Sequence, residues 1–131
     1  VRAVSWSIER ITDDEMEQFD DIFRYMEFYT KKNDIHMMMY ANSAFHRHIY
    51  KTSHDRMLDK TLTTYFNYCK YSCPPNYFAP KFLDKTLEER RRIYSAYLKK
   101  DVTSGARAMK LHMSNTIKRA IANINLNIYE K

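Results

Sequence analysis

The sequence predicts an all-α fold, an antiparallel bundle of six to seven helices. Three observations carry that prediction. Glycine occurs once and proline three times in 131 residues, too few for the tight turns that an all-β chain consumes. Apolar residues recur at three- and four-residue spacing through several long stretches, with no alternating pattern. The connections between those stretches are short, which favours antiparallel neighbours. A chain of this length makes one domain with its own core.

Taken in order, residues 1–10 read as the tail of a helix. Thr12-Asp13-Asp14-Glu15 is a capping box that opens the next helix, expected to reach about Lys32. Its inward stripe is Met16, Phe19, Ile22, Phe23, Met26 and Tyr29. Asn33-Asp34 breaks and recaps the chain, and a helix over about 35–52 carries Ile35, Met38, Met39, Asn42, Phe45, His46 and Ile49 on one face. After Ser53-His54-Asp55, a fourth helix extends to about Tyr71 with Met57, Leu58, Leu62, Tyr65, Phe66 and Cys69 inward. The stretch from Cys73-Pro74-Pro75-Asn76 to Pro80 is a loop, since consecutive prolines cannot continue a helix. A short helical turn is expected at 79–84.

Thr86-Leu87-Glu88-Glu89 has the form of a second capping box. The helix it opens runs to about Lys99 with Ile93, Ala96 and Tyr97 inward. Asp101 caps the last helix, about 102–126, whose apolar face is Ala106, Met109, His112, Met113, Thr116, Ala120, Ile121 and Ile124.

Composition excludes several functions. No apolar run approaches the ~20 residues of a membrane span, and VRAVSWSIER at the start lacks the form of a secretory signal. Cys69 and Cys73 lie four apart, not at CxxC spacing. They read as reduced thiols of a cytoplasmic protein. The net charge of +6 is spread along the chain among acidic residues, and Arg90-Arg91-Arg92 directly follows Glu88-Glu89. That distribution does not make a nucleic-acid surface.

Function is marked by polar residues on apolar faces. Asn42 and His46 lie four apart and so share one helical face with Ile, Met and Phe. His112 interrupts the stripe between Met109 and Met113. Arg90 precedes Ile93 by three and Tyr97 by seven, on the inward side of its helix. Burying such groups unpaired costs a few kcal/mol each, so each needs another side chain, water, a metal or a ligand. Singly, a core histidine is ordinarily a hydrogen-bonded structural residue, and an arginine can carry its head to solvent. Four on three helices point to a polar pocket, with Met39, Tyr94, Met109 and Thr116 lining it. His36, His48 and His54 read as surface or capping residues.

These same residues carry a family resemblance. The run Asn42-Ser43-Ala44-Phe45-His46-Arg47-His48-Ile49 through Ser53-His54-Asp55 is similar to the D-x-x-F-H-x-x-I-x-x-A-S-x-N signature of the FCD domain, the FadR C-terminal-type domain of GntR-family transcription regulators. Glu89-Arg90-Arg91-Arg92-Ile93-Tyr94-Ser95-Ala96-Tyr97 resembles the family's E-H-x-x-I-x-x-A-I, and Met109-Lys110-Leu111-His112-Met113 its M-x-x-H-L. Asp101 stands at the family's aspartate between helices, and Glu9-Arg10-Ile11-Thr12 resembles the stretch between its first two helices. The resemblance covers nearly the whole chain.

The resemblance implies a helical bundle around an effector cavity, often with a divalent zinc, nickel or manganese ion on an aspartate and three histidines. By position those ligands become Asn42, His46, Arg90 and His112. Asn42 offers only a neutral carbonyl oxygen, and Arg90 has no lone pair and repels a metal. No cofactor is therefore expected. An ion, were one held, would rest on His46, His112 and Asn42. The expected effector is a small carboxylate-like anion held by Arg90, with Asn42, His46 and His112 adding hydrogen bonds. Residues 1–131 are then one effector-binding and dimerisation domain of a homodimer, reaching operator DNA only through a winged-helix domain outside this chain, with no membrane partner. Two alternatives are a degenerate bundle serving only dimerisation or protein interaction, and a metal-dependent helical enzyme using His46 and His112. No nucleophile–base pair supports the enzyme.

Overall fold

The computed structural model turns the periodic stretches into helices α1 (Arg2–Arg10), α2 (Asp13–Lys31), α3 (Ile35–Thr52), α4 (Arg56–Ser72), α5 (Leu83–Leu98) and α6 (Val102–Tyr129). It describes residues 1–72 and 83–129, without the side chains of 70–72, 120 and 123–129. Among the described residues there is no strand.

Three helix junctions use one device. Asn33, His54 and Lys100 adopt left-handed backbone with φ of 52°, 54° and 51°, and an aspartate follows each. Asp34, Asp55 and Asp101 then cap α3, α4 and α6, their Oδ1 atoms accepting from Met37 N (3.0 Å), Leu58 N (2.7 Å) and Ser104 N (3.1 Å). At the ends of α2 and α5 the N–H of that aspartate also reaches back to Tyr29 O and Ala96 O, closing the helix. The reversal takes three residues, so α2 with α3, and α5 with α6, are antiparallel hairpins. The Thr12–Glu15 capping box forms as expected, with both of its hydrogen bonds present.

The core lies between these hairpins. Phe19 of α2 is fully buried, stacks on Phe45 of α3 at 4.8 Å and meets Tyr97 of α5 at a tilt, 4.6 Å between ring centres. Met26, Met38, Ile49 and Ile93 complete the centre, each burial contributing roughly 1.5–3 kcal/mol. Helix α1 packs on α3 and α6, and Gly105 lets it approach. A Cβ there would overlap Ile8 Cδ1 and lie 3.3 Å from Val4 Cγ1. A ladder of buried hydroxyls also ties α1 to two neighbours. Tyr97 donates to Ser7 Oγ at 2.7 Å, Ser7 and Thr52 hydroxyls are 2.6 Å apart, and Thr52 donates to the carbonyl of His48.

Several expectations need correction. His48 is not a surface residue: it is 8% exposed, stacks on Phe19, and its Nε2 lies 2.8 Å from the carbonyl of Glu15. Two residues from His46 is a turn of about 200° around a helix, which aims His48 at α2, so α3 is buried on two sides. Of the α4 residues expected inward, Leu58, Leu62 and Phe66 are half-buried, while Met57, Tyr65 and Cys69 are exposed. That helix packs chiefly on α3, and one neighbour covers one narrow stripe. Met113 and Ile121 of α6 are likewise exposed, because the inward line runs through Gly105, Met109 and His112. Thr86–Glu89 caps nothing, since α5 begins at Leu83 and encloses it. The loop from Cys73 to Pro80 and the start of the turn expected at 79–84 lie outside the described residues, as do the side chains of Ala120 and Ile124.

Candidate functional site

Helices α3, α5 and α6 each bring polar side chains to one buried point. Asn42 and His46 project from α3, Arg90 from α5 and His112 from α6, and each is no more than 6% exposed. The Arg90 guanidinium is the hub. Its Nε donates to Asn42 Oδ1 at 2.8 Å, its Nη2 lies 3.3 Å from His46 Nε2, and its Nη1 lies 2.9 Å from His112 Nδ1. Three of the four residues singled out from the sequence are therefore gathered on the fourth, Arg90. The two imidazoles are 5.5 Å apart, and Phe66 of α4 covers His46 at 5.2 Å.

The sequence reading missed a second layer. Glu89 is 8% exposed and places Oε2 2.8 Å from His112 Nδ1 and 3.4 Å from Arg90 Nη1. Arg119 of α6 grips the same carboxylate with both terminal nitrogens, at 3.0 and 3.1 Å, and Asn115 donates to it at 3.0 Å. His112, Asn115 and Arg119 are spaced three and four apart, so one stripe of α6 turns three polar side chains to one carboxylate. That spacing is visible in the sequence, but Asn115 and Arg119 stand outside the apolar register that drew attention to His112. Glu89 was hidden by its likeness to a capping residue. Among the described residues no buried side-chain nitrogen or oxygen lacks a hydrogen-bond partner.

Charge in the site is set by this geometry. Burial, with the charge of Arg90 and the neighbouring His112, holds the His46 imidazole well below its ordinary range. Burial likewise pulls His112 down to about 4, against the hydrogen bond that its protonated ring gives to Glu89 and with Arg90 adding to the fall. Burial would raise the Glu89 carboxyl, but hydrogen bonds from His112, Arg119 and Asn115 outweigh it and keep the group ionised far below its usual pKa. At neutral pH both imidazoles are uncharged. The Nδ1 atom of His112 then either accepts from Arg90 or donates to Glu89, since one neutral ring nitrogen cannot do both.

Of the residues expected to line a pocket, Met109 is buried one turn before His112, and Thr116 is half-buried one turn after it. Met39 is half-buried one turn before Asn42. Tyr94 serves the other side of α5: its ring stacks on Phe23 at 4.5 Å and its hydroxyl bonds Asp20 of α2. His36 and His54 are exposed, and His54 pairs with Glu15 at 2.8 Å.

The sequence profile of the FCD domain matches residues 1–115. The chain belongs to the FCD domain family. FCD domains are the effector-binding part of GntR-type transcription regulators and are not enzymes. Among solved structures this FCD domain is similar to McbR/YncC of E. coli, with a TM-score of 0.73 and 18% identity. The match covers 89% of this chain and 58% of that one, so the chain spans little more than half of that structure's length. At such identity the likeness is one of fold. No curated protein sequence matches.

The metal that the family resemblance implies does not fit these residues. A guanidinium cation fills the position between Asn42, His46 and His112, at hydrogen-bond distance from all three. Among the described residues no three His, Cys, Asp or Glu side chains are grouped to hold an ion. No described helix is long and apolar enough to cross a membrane.

Proposed function

We propose that this FCD domain senses a small carboxylate-bearing effector at the Arg90 cluster without a metal, as the dimerising half of a cytoplasmic GntR-type regulator. Arg90 supplies the positive charge and the forked donor geometry that a carboxylate needs. Asn42, His46 and His112 orient the ligand. Residues 1–131 act as one domain, and operator DNA is contacted by a separate winged-helix domain. Ligand binding changes how the two copies of a homodimer hold their DNA-binding parts.

The observation that carries this reading is the buried guanidinium at the meeting of three helices, flanked by two neutral imidazoles. A second reading rests on the same site: the polar groups satisfy one another, as a bundle retained only for dimerisation would require. Thermal unfolding separates the two. The full chain is titrated with acetate, lactate, gluconate and citrate at constant ionic strength, beside Arg90→Met. A specific ligand at a hundredfold excess over its Kd stabilises by about 2.7 kcal/mol, and that gain should vanish in the variant. No stabilisation of the wild type by any of the acids would leave only the dimerisation reading.

A further inference from the structure

The α6 stripe already holds a carboxylate. His112, Asn115 and Arg119 surround the two oxygens of Glu89 at 2.8–3.1 Å, and Arg90 approaches from the interior at 3.4 Å. Cations from two helices, an imidazole nitrogen and an amide thus converge on one acidic group. The set would suit a small organic acid equally well. The protein has supplied the occupant itself, from the residue next to Arg90.

We infer that Glu89 is a tethered stand-in for the effector, and that an incoming carboxylate binds by taking its place against His112, Asn115 and Arg119. This rests on the effector reading above and adds how the site is emptied and filled. Geometry favours exchange over binding alongside, because the Asn115 amide and both terminal nitrogens of Arg119 are already directed at Glu89. Release is possible because the site opens outward at Arg119, whose side chain is 19% exposed against 4% for Arg90. Displaced, the Glu89 carboxylate regains water, and α5 loses its ionic tie to α6. Ligand binding and loosening of the α5–α6 hairpin are then one event, and the effector must be an acid able to match the Glu89 carboxylate in size and charge.

Acetate is the probe, because it is the fragment that Glu89→Ala removes. Binding to the full chain is followed by thermal unfolding at constant ionic strength, with chloride as the reference anion. Glu89→Ala should lose stability in chloride and recover it in acetate. Both Glu89→Ala and Glu89→Gln should bind acetate about tenfold or more tighter than the wild type, since removing a competing internal state removes its cost. Should Glu89→Ala fail to fold, Glu89→Gln decides the question alone. Variants that bind acetate no better than the wild type overturn the inference. If the wild type still shows Arg90-dependent stabilisation by an organic acid, the effector site stands and only the exchange is wrong.

Discussion

Lowering the pH from 7 to 5 should destabilise this domain through its buried histidines. In the unfolded chain an imidazole titrates near 6.5, whereas His112 in its pocket titrates at about 4. The folded-state value is the lower one, so between these limits the unfolded chain binds more protons and stability falls as the pH falls. At pH 5 the difference for His112 is about 2 kcal/mol relative to pH 7. His46, 5% exposed and also held well below its ordinary range, acts in the same direction. The His112 share alone is a substantial part of the 5–15 kcal/mol typical of a domain, and His46 adds to it. Glu89 is silent in this window. Its depressed pKa contributes stability that is lost only below the unfolded carboxylate value, at roughly pH 4.5 and under. Urea unfolding at half-unit pH steps measures the slope. Replacing His112 with Asn should cut proton uptake on unfolding at pH 5.5 by about one. A variant that keeps the wild-type slope would show that the imidazole is not held neutral, and the charge assignment of the site would fail.

Two further outcomes are expected. The double change Asn42→Asp with Arg90→His restores the carboxylate and the third imidazole that the family pattern places here. Calorimetry should detect micromolar or tighter zinc binding in that variant and none in the wild type; tight wild-type binding would refute the view that the guanidinium excludes a metal. Gly105→Val should lower stability by about 2 kcal/mol or more in urea unfolding, because its side chain meets Ile8 and Val4 in a filled contact. Gly105→Ala should fall between, the ~1 kcal/mol gain in helix propensity offsetting part of the overlap.

How much of this was legible depends on the residue. The i, i+4 spacing of Asn42 and His46 fixed their common face without further information, and Arg90 and His112 stood out because they interrupt apolar stripes. Their meeting point then followed from any bundle that packs those stripes together. Glu89 did not stand out, since a glutamate three residues after a threonine is also what a helix start looks like. Only tertiary structure shows α5 already under way at Leu83. Arg119 stands beside the apolar stripe of its helix and not on it, so its role emerges only once Glu89 is placed beside it. The error over His48 has the same origin. A sequence stripe reports the face turned to the main core, and α3 has a second buried flank against α2. On α4 the reverse happened: aromatic and sulfur residues gave an apolar look to positions that no described neighbour covers.

The hydroxyl ladder through Tyr97, Ser7 and Thr52 has a mechanical consequence. Apolar contacts tolerate small slips, but this ladder has rungs at fixed heights on α1, α3 and α5. Sliding α1 by a single residue, about 1.5 Å, would break both hydrogen bonds of the fully buried Ser7. The first helix is therefore geared to the two helices that carry Asn42, His46 and Arg90, and its motion comes in steps, not as a continuous drift. Whatever α1 is joined to would receive a click from one register to another.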